Sequence, residues 1–190
     1  DKKYLADSLA DISHQIRTPL TSINLLVERL SASGLTDECR HQLTNELYEL
    51  LDRIDWLITT LLKISKLDAG TVSFNKETVS LESLIKRSCS PLLIPMELCG
   101  QELIIRAEGD FYGDPAWTSE AVGNIVKNCT EHTPDGGRIE INAAETALYS
   151  EIVIKDNGTG ISPEDLPHIF ERFYKGRNSD GKSFGIGLAL

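Results

Sequence analysis

The sequence predicts two architectures in series, an all-α helical hairpin followed by an α+β two-layer sandwich. Three observations predict them. From Leu5 to Ile64 apolar residues recur with alternating four and three spacing, interrupted by the turn-like stretch Ser31-Ala32-Ser33-Gly34, and that period belongs to helices packed along a seam. After Lys66-Leu67-Asp68-Ala69-Gly70 the period ends, and short apolar runs alternate with capped helical segments and turns rich in Gly and Pro. The 190 residues suffice for one or two domains with real cores.

The first helix is expected from Lys2 to Leu30, with Leu9, Ile16, Ile23 and Leu30 at a positions and Leu5, Ile12 and Leu26 at d. His14 then falls at f, furthest from the seam, and Thr18 and Thr21 follow on the same wet face. A lone His on a solvated helix face is commonly a surface residue. Here Pro19 sits one turn later, inside the helical pattern, where it removes a backbone donor and costs about 3 kcal/mol. A costly kink beside an outward imidazole points to geometry kept for use.

Thr36 can cap a second helix, with Asp37 and Glu38 suited to the positive end of its dipole. Leu43, Leu47, Leu50, Ile54, Leu57, Leu61 and Ile64 form its stripe, widened by Leu51 and Ile58. That stripe is wider than one partner helix covers, and the simplest way to cover it is a homodimer forming a four-helix bundle. A dimerisation coiled coil without chemistry would have the same pattern.

Further along, Thr71 to Val79 alternates weakly like a strand, and Ser80 can cap a helix running through Arg87. Pro91 and Pro95 break or kink the apolar segment that follows. Leu103-Ile104-Ile105 and Phe111-Tyr112 read as strands. Asp114-Pro115 starts a helix that carries through about Glu131, with Ala121, Val122, Ile125, Val126 and Cys129 as its buried face. Pro134-Asp135-Gly136-Gly137 then turns into a hairpin of Ile139–Ile141 with Glu151–Lys155. The expected division is residues 1–68, a linker at 69–77, and a second domain at 78–190.

Composition narrows the function. Acidic residues outnumber basic ones 29 to 19, for a net charge of −10, and no local Lys and Arg cluster offsets this. That argues against nucleic acid or an anionic membrane surface as primary partner. The four cysteines, Cys39, Cys89, Cys99 and Cys129, lack C-x-x-C spacing and read as reduced thiols of a cytosolic protein rather than a metal site. No apolar run has bilayer length, and Asp1-Lys2-Lys3-Tyr4 does not resemble a signal peptide. The chain starts with the helical pattern already running, and Gly185 to Leu190 reads like the opening of another helix, so a C-terminally incomplete fragment of a longer protein is expected.

A second chemical cluster lies downstream. Glu120, Asn124 and Asn128 recur every four residues, either as a solvated stripe or as oxygen donors for a hard cation such as Mg²⁺. Asp156-Asn157-Gly158-Thr159-Gly160-Ile161 follows a strand, where glycines allow close backbone approach to a ligand and the Asp can accept from an exocyclic amine. Gly185 and Gly187 lie beyond Asn178-Ser179-Asp180-Gly181-Lys182-Ser183, a stretch with the composition of a mobile lid.

In this order the motifs resemble the cytoplasmic catalytic core of a sensor histidine kinase. His14-Gln15-Ile16-Arg17-Thr18-Pro19-Leu20 resembles the H box and Asn124-Ile125-Val126-Lys127-Asn128 the N box. Asp156-Asn157-Gly158-Thr159-Gly160 resembles the G1 box, Phe170-Glu171-Arg172-Phe173-Tyr174 the F box and Gly185-Ile186-Gly187-Leu188 the G2 box. The resemblance implies a dimerisation and phosphotransfer hairpin followed by an ATP-binding domain of the GHKL type, shared with gyrase, heat-shock protein 90 and mismatch-repair ATPases.

It also implies roles. His14 would accept the γ-phosphoryl group of ATP, flanked by Gln15, with Thr18 positioning water in any phosphatase reaction. Asn128 would ligate Mg²⁺, supported by Asn124. Asp156 would bind the adenine amine, Gly158, Gly160, Ile161, Gly185 and Gly187 would shape the pocket and lid, and Lys175 would lie near the γ-phosphate. The implied partners are a second copy of the chain and the receiver domain of a response regulator. The implied location is the cytoplasmic portion of a bacterial inner or plasma membrane sensor, attached only through regions absent from this chain.

The sequence departs from the family pattern in places. Gln15 stands where the family commonly has an acid, and an amide can orient the imidazole but cannot take its proton. Glu131 and His132 replace a basic and an aromatic residue, and Ser183-Phe184 replaces a small Gly-Thr pair. The rival readings are an ATPase of the same fold without histidine transfer, and a catalytically silent dimeric scaffold. ATPases of this fold generally carry a Glu where Asn124 stands.

Overall fold

The computed structural model describes residues 2–176 and 185–189, with the side chains of residues 2–9 and 11 outside the description. The chain divides into two compact units, Asp1–Thr71 and Val72–Leu190.

The first unit is a helical hairpin of α1 (Lys2–Leu30) and α2 (Asp37–Asp68). Thr36 caps α2, its side-chain oxygen accepting the Cys39 N–H at 3.2 Å. Leu26 of α1 and Leu43, Leu57 and Ile64 of α2 are buried, in keeping with the seam spacing. Thr60 is buried with them, a polar position that the apolar count passes over. Leu51 and Ile58, which widen the stripe on α2, remain exposed, as do Leu25 and Leu62. The hairpin thus leaves apolar surface that its own two helices do not cover.

The second unit packs helices on a mixed sheet. Its elements are β1 (Glu77–Ser80), α3 (Leu81–Cys89), α4 (Leu93–Leu98), β2 (Glu102–Glu108), β3 (Asp110–Gly113), α5 (Pro115–His132), β4 (Arg138–Glu145) and β5 (Ser150–Asp156). β4 is central, parallel to β2 and antiparallel to β5. β1 and β3 form a separate antiparallel pair. Ile139, Ile141 and Ala143 alternate along β4 toward the core, where they meet Leu81, Leu84, Ile85 and Cys89 of α3, Met96 of α4, and Val122, Val126 and Cys129 of α5.

Three local expectations change. The strand expected over Thr71 to Val79 is confined to β1, because only residues from Glu77 onward have a partner in β3. Ala121 and Ile125 are exposed rather than buried. α5 packs on α3 and the sheet along Ser119, Val122, Gly123, Val126 and Cys129, and that stripe is too narrow to cover Ala121 and Ile125. The helix opening expected at Gly185 is a single 3-10 turn over Gly187–Ala189. Pro95 is accommodated because it stands in the first turn of α4, where its missing N–H has no intrahelical acceptor to lose.

α5 is secured at both ends. Asp114 caps its start, accepting from the Ala116 and Trp117 N–H groups at 2.9 and 3.1 Å. At its end the buried Gln101 donates its amide to the Thr130 and Thr133 carbonyls at 3.0 and 2.8 Å, satisfying acceptors that a helix terminus leaves unpaired. Replacing Gln101 by Leu strands those carbonyls, and we expect a loss of about 1–3 kcal/mol in urea denaturation of the chain.

Candidate nucleotide and phosphoacceptor sites

In the first unit, His14 is exposed and Gln15 is half-buried on α1. Thr18 donates its hydroxyl to the His14 carbonyl at 3.2 Å, and Thr21 donates to the Arg17 carbonyl at 3.0 Å. Side-chain bonding of this kind bends a helix, and here it brackets the buried Pro19. Because the Thr18 proton points at the backbone, the oxygen faces other groups as an acceptor.

In the second unit, α5 carries Asn124 and Asn128, and Gly187 and Gly158 of the expected nucleotide residues lie against it. Asn124 lies against the G2 segment, its Cγ 3.7 Å from where a β-carbon on Gly187 would stand. Asn128 is one turn further along and, like Asn124, half-buried. Ile186, between the G2 glycines, is fully buried and anchors them.

Asp156 ends β5, and its Oδ1 accepts the N–H of Gly158 at 2.8 Å, closing a tight turn. That turn rests on the C-terminal end of α5, where a β-carbon on Gly158 would collide with the His132 carbonyl oxygen. Gly160 adopts φ of 71°, a left-handed conformation that glycine reaches without strain. Ile161 beyond it is exposed.

Sequence reasoning did not give Cys129 a place in this site. Burial, followed by the hydrogen bond and charge of Asp156, pushes its thiol up to about 12 from an ordinary 9.0. The thiol therefore remains protonated. The signal was its position immediately after Asn128, one residue around the helix toward the sheet.

The F-box segment is ordered by its own contacts. Tyr174 donates its hydroxyl to the buried Asp165 at 2.7 Å, and the Phe173 N–H donates to the Gly185 carbonyl at 2.7 Å. Gly185 has φ of 68°, and a β-carbon there would collide with the Tyr174 carbonyl oxygen. Lys175 follows, half-buried. The expected lid residues Asn178 to Ser183, and Phe184 after them, lie outside the described residues, as does Leu190.

The donors suit a magnesium nucleotide. Carboxamide oxygens are hard ligands of the kind Mg²⁺ accepts beside phosphate oxygens and water, and Asn124 and Asn128 stand one turn apart on α5, with Asn124 next to the Gly187 backbone. Asp156 supplies an acceptor at the other end of the same helix.

Comparison with known proteins gives this geometry a family. Residues 4–70 match the His Kinase A (phospho-acceptor) domain, and residues 113–190 match the histidine kinase-, DNA gyrase B- and HSP90-like ATPase domain. The chain belongs to the sensor histidine kinases. It is 31% identical over 186 residues to the heme sensor protein HssS of Staphylococcus saprophyticus, covering 95% of this chain and 39% of the relative. It is 29% identical over 192 residues to the histidine-protein kinase/phosphatase MprB of Mycolicibacterium vanbaalenii, covering 96% and 39%. Its fold matches histidine kinase ThkA, solved in complex with the response regulator TrrA, at a TM-score of 0.73 and 19% identity, over 91% of this chain and 52% of that one. The chain spans less than half the length of the curated relatives it matches. Among the described residues of this kinase core, no helix is long and apolar enough to cross a membrane.

The contact between Cys129 and Asp156 has a measurable consequence. Replacing Asp156 by Asn removes the carboxylate charge that opposes thiolate formation, so the Cys129 pKa should fall from about 12 while staying above 9.0 because burial remains. Thiolate ultraviolet absorbance against pH, with Cys129→Ala as blank, checks this.

Proposed function

We propose that this chain transfers the γ-phosphoryl group of ATP to His14 and then to an aspartate on the receiver domain of a response regulator. One observation carries the reading. The same chain holds an exposed imidazole on a Pro-containing helix and a second unit in which Asn124 meets Gly187 and Asp156 adjoins α5. The neighbour ThkA is itself bound to a response regulator.

In this reading a ring nitrogen of His14 attacks the γ-phosphorus, the bond to the bridging oxygen breaks, ADP leaves, and the ring's proton is released. When bound, Mg²⁺ spreads the negative charge of the phosphates. Asp156 accepts from the adenine amine, Asn128 would present its amide oxygen to the metal with Asn124 in support, and the Gly158, Gly160, Gly185 and Gly187 backbone with Ile161 shapes the pocket. Lys175 supplies positive charge near the γ-phosphate.

The apolar faces of the hairpin, with Leu25, Leu51, Ile58 and Leu62 exposed at 56%, 45%, 44% and 59%, support a homodimer closed as a four-helix bundle. The phosphotransfer region would be residues 1–68 and the catalytic region 78–190, joined by 69–77. The whole protein would be a bacterial membrane sensor, with this part on the cytoplasmic side. Thr18 favours a second activity: with its proton committed to the His14 carbonyl, its oxygen can accept from a water and aim that water at a phosphoryl group, as a phosphatase requires. The relative MprB is named a kinase/phosphatase.

Incubation with γ-labelled ATP tests the primary reading. Acid-labile, base-stable label that His14→Ala abolishes supports the kinase. Free phosphate without protein label would indicate an ATPase, and neither product a silent scaffold. Gln15→Glu places a base beside the acceptor and should raise the initial rate of labelling by about tenfold. An unchanged or lower rate would show that proton removal does not run through position 15.

A further inference from the structure

We infer that Asn157 is a positioning residue for base recognition, holding the Asp156 carboxylate in place by a two-way hydrogen-bonded clamp to Arg138 at the start of β4. This deepens the proposed nucleotide function and rests on it. The Asn157 N–H donates to the Arg138 carbonyl at 3.2 Å, and the Arg138 N–H donates to Asn157 Oδ1 at 2.8 Å. The side chain thus completes a pairing between β4 and the residue just beyond the end of β5, where ladder partners run out at Ile139 and Asp156.

The surrounding backbone is built for that pairing. A β-carbon on Gly137 would stand 2.8 Å from Asn157 Oδ1 and would collide with the Thr133 side chain. On the other side of Asn157, Gly158 is pressed against the His132 carbonyl. The turn is therefore pinned between the first residue of β4 and the last turn of α5. Asp156 Oδ1 is already committed to the Gly158 N–H, so the direction in which the carboxylate faces a ligand follows from where the turn is held. Asn157 itself is exposed, so its replacement removes the clamp without emptying the core.

The requirement on position 157 is an acceptor at Oδ1. Aspartate meets it and alanine or leucine does not. An exocyclic amine is what the Asp156 carboxylate would read, so loss of the clamp should show as lost discrimination between ATP and inosine triphosphate, which carries oxygen in place of the amine.

The experiment measures dissociation constants of the chain for ATP and inosine triphosphate, with phosphorylation of His14 at saturating ATP. In Asn157→Ala the ATP constant should rise about fivefold, with a smaller change for inosine triphosphate and a saturated rate within about twofold of wild type. Asn157→Asp should restore the preference for ATP. Asn157→Leu, closer in volume, provides the same comparison should the alanine variant fold poorly. A retained preference in both non-accepting variants, or equal weakening toward both nucleotides, overturns the clamp alone, provided wild type prefers ATP and Asp156→Ala abolishes that preference. If wild type binds both equally and Asp156→Ala changes nothing, base reading by Asp156 fails, and the inference fails with it.

Discussion

The second unit depends on the close contact between the C-terminal end of α5 and the turn that follows β5. Gly137 and Gly158 meet Thr133 and the His132 carbonyl with no room for side chains of their own. A helix end normally leaves carbonyls without partners, and burying it beside a sheet would be unfavourable. Gln101 relieves that cost by donating to Thr130 and Thr133, and the strand ladder of β2 and β4 carries Gln101 to the place where it can do so. Along one helix then lie amides in its middle, a carboxylate beside its end, and glycine backbone against its side.

Buried polarity sets the chemistry of this region as much as apolar packing does. Cys129 shares the core stripe with Val122 and Val126, yet its thiol faces the Asp156 carboxylate. In that setting the thiol is held neutral, while the carboxylate accepts the Gly158 N–H. A carboxylate held by a fixed backbone donor has fewer orientations left, and a group with few orientations loses little freedom on engaging a partner. Asp114 follows the same logic at the other end of α5. The N–H groups of Trp117, Asn75 and Ala116 hold its carboxyl below the usual range, so its contribution is present above the ordinary carboxylate pKa and lost as pH falls through the depressed value.

The helical hairpin obeys a different constraint. Its helices cover one stripe of each other and leave Leu25, Leu51, Ile58 and Leu62 in contact with solvent. Pro19 is buried on α1, while the His14 side chain stays exposed one turn earlier. The proline and the seam therefore coexist in one continuous helix, the seam setting which way the helix faces and the threonine hydroxyls bracketing the point where Pro19 lacks a backbone donor.

The sequence by itself determined α1, α2, α3 and α5 and the caps of the last three, because periodicity and capping are local. Thr36, Ser80 and Asp114 each cap the helix their position suggests, and the outward place of His14 follows from heptad arithmetic alone. The motif order also pointed to the family to which the chain belongs. Only the tertiary structure decided which face of α5 is covered. Ala121 and Ile125 are as apolar as their neighbours, and their exposure depends on the width of the contact with α3 and the sheet, which is set by elements distant in sequence. The same holds for Cys129 beside Asp156, Gln101 beneath the end of α5, and Asn157 clasping Arg138. Those pairings join residues about 20 to 30 positions apart, and no local spacing rule reaches that far.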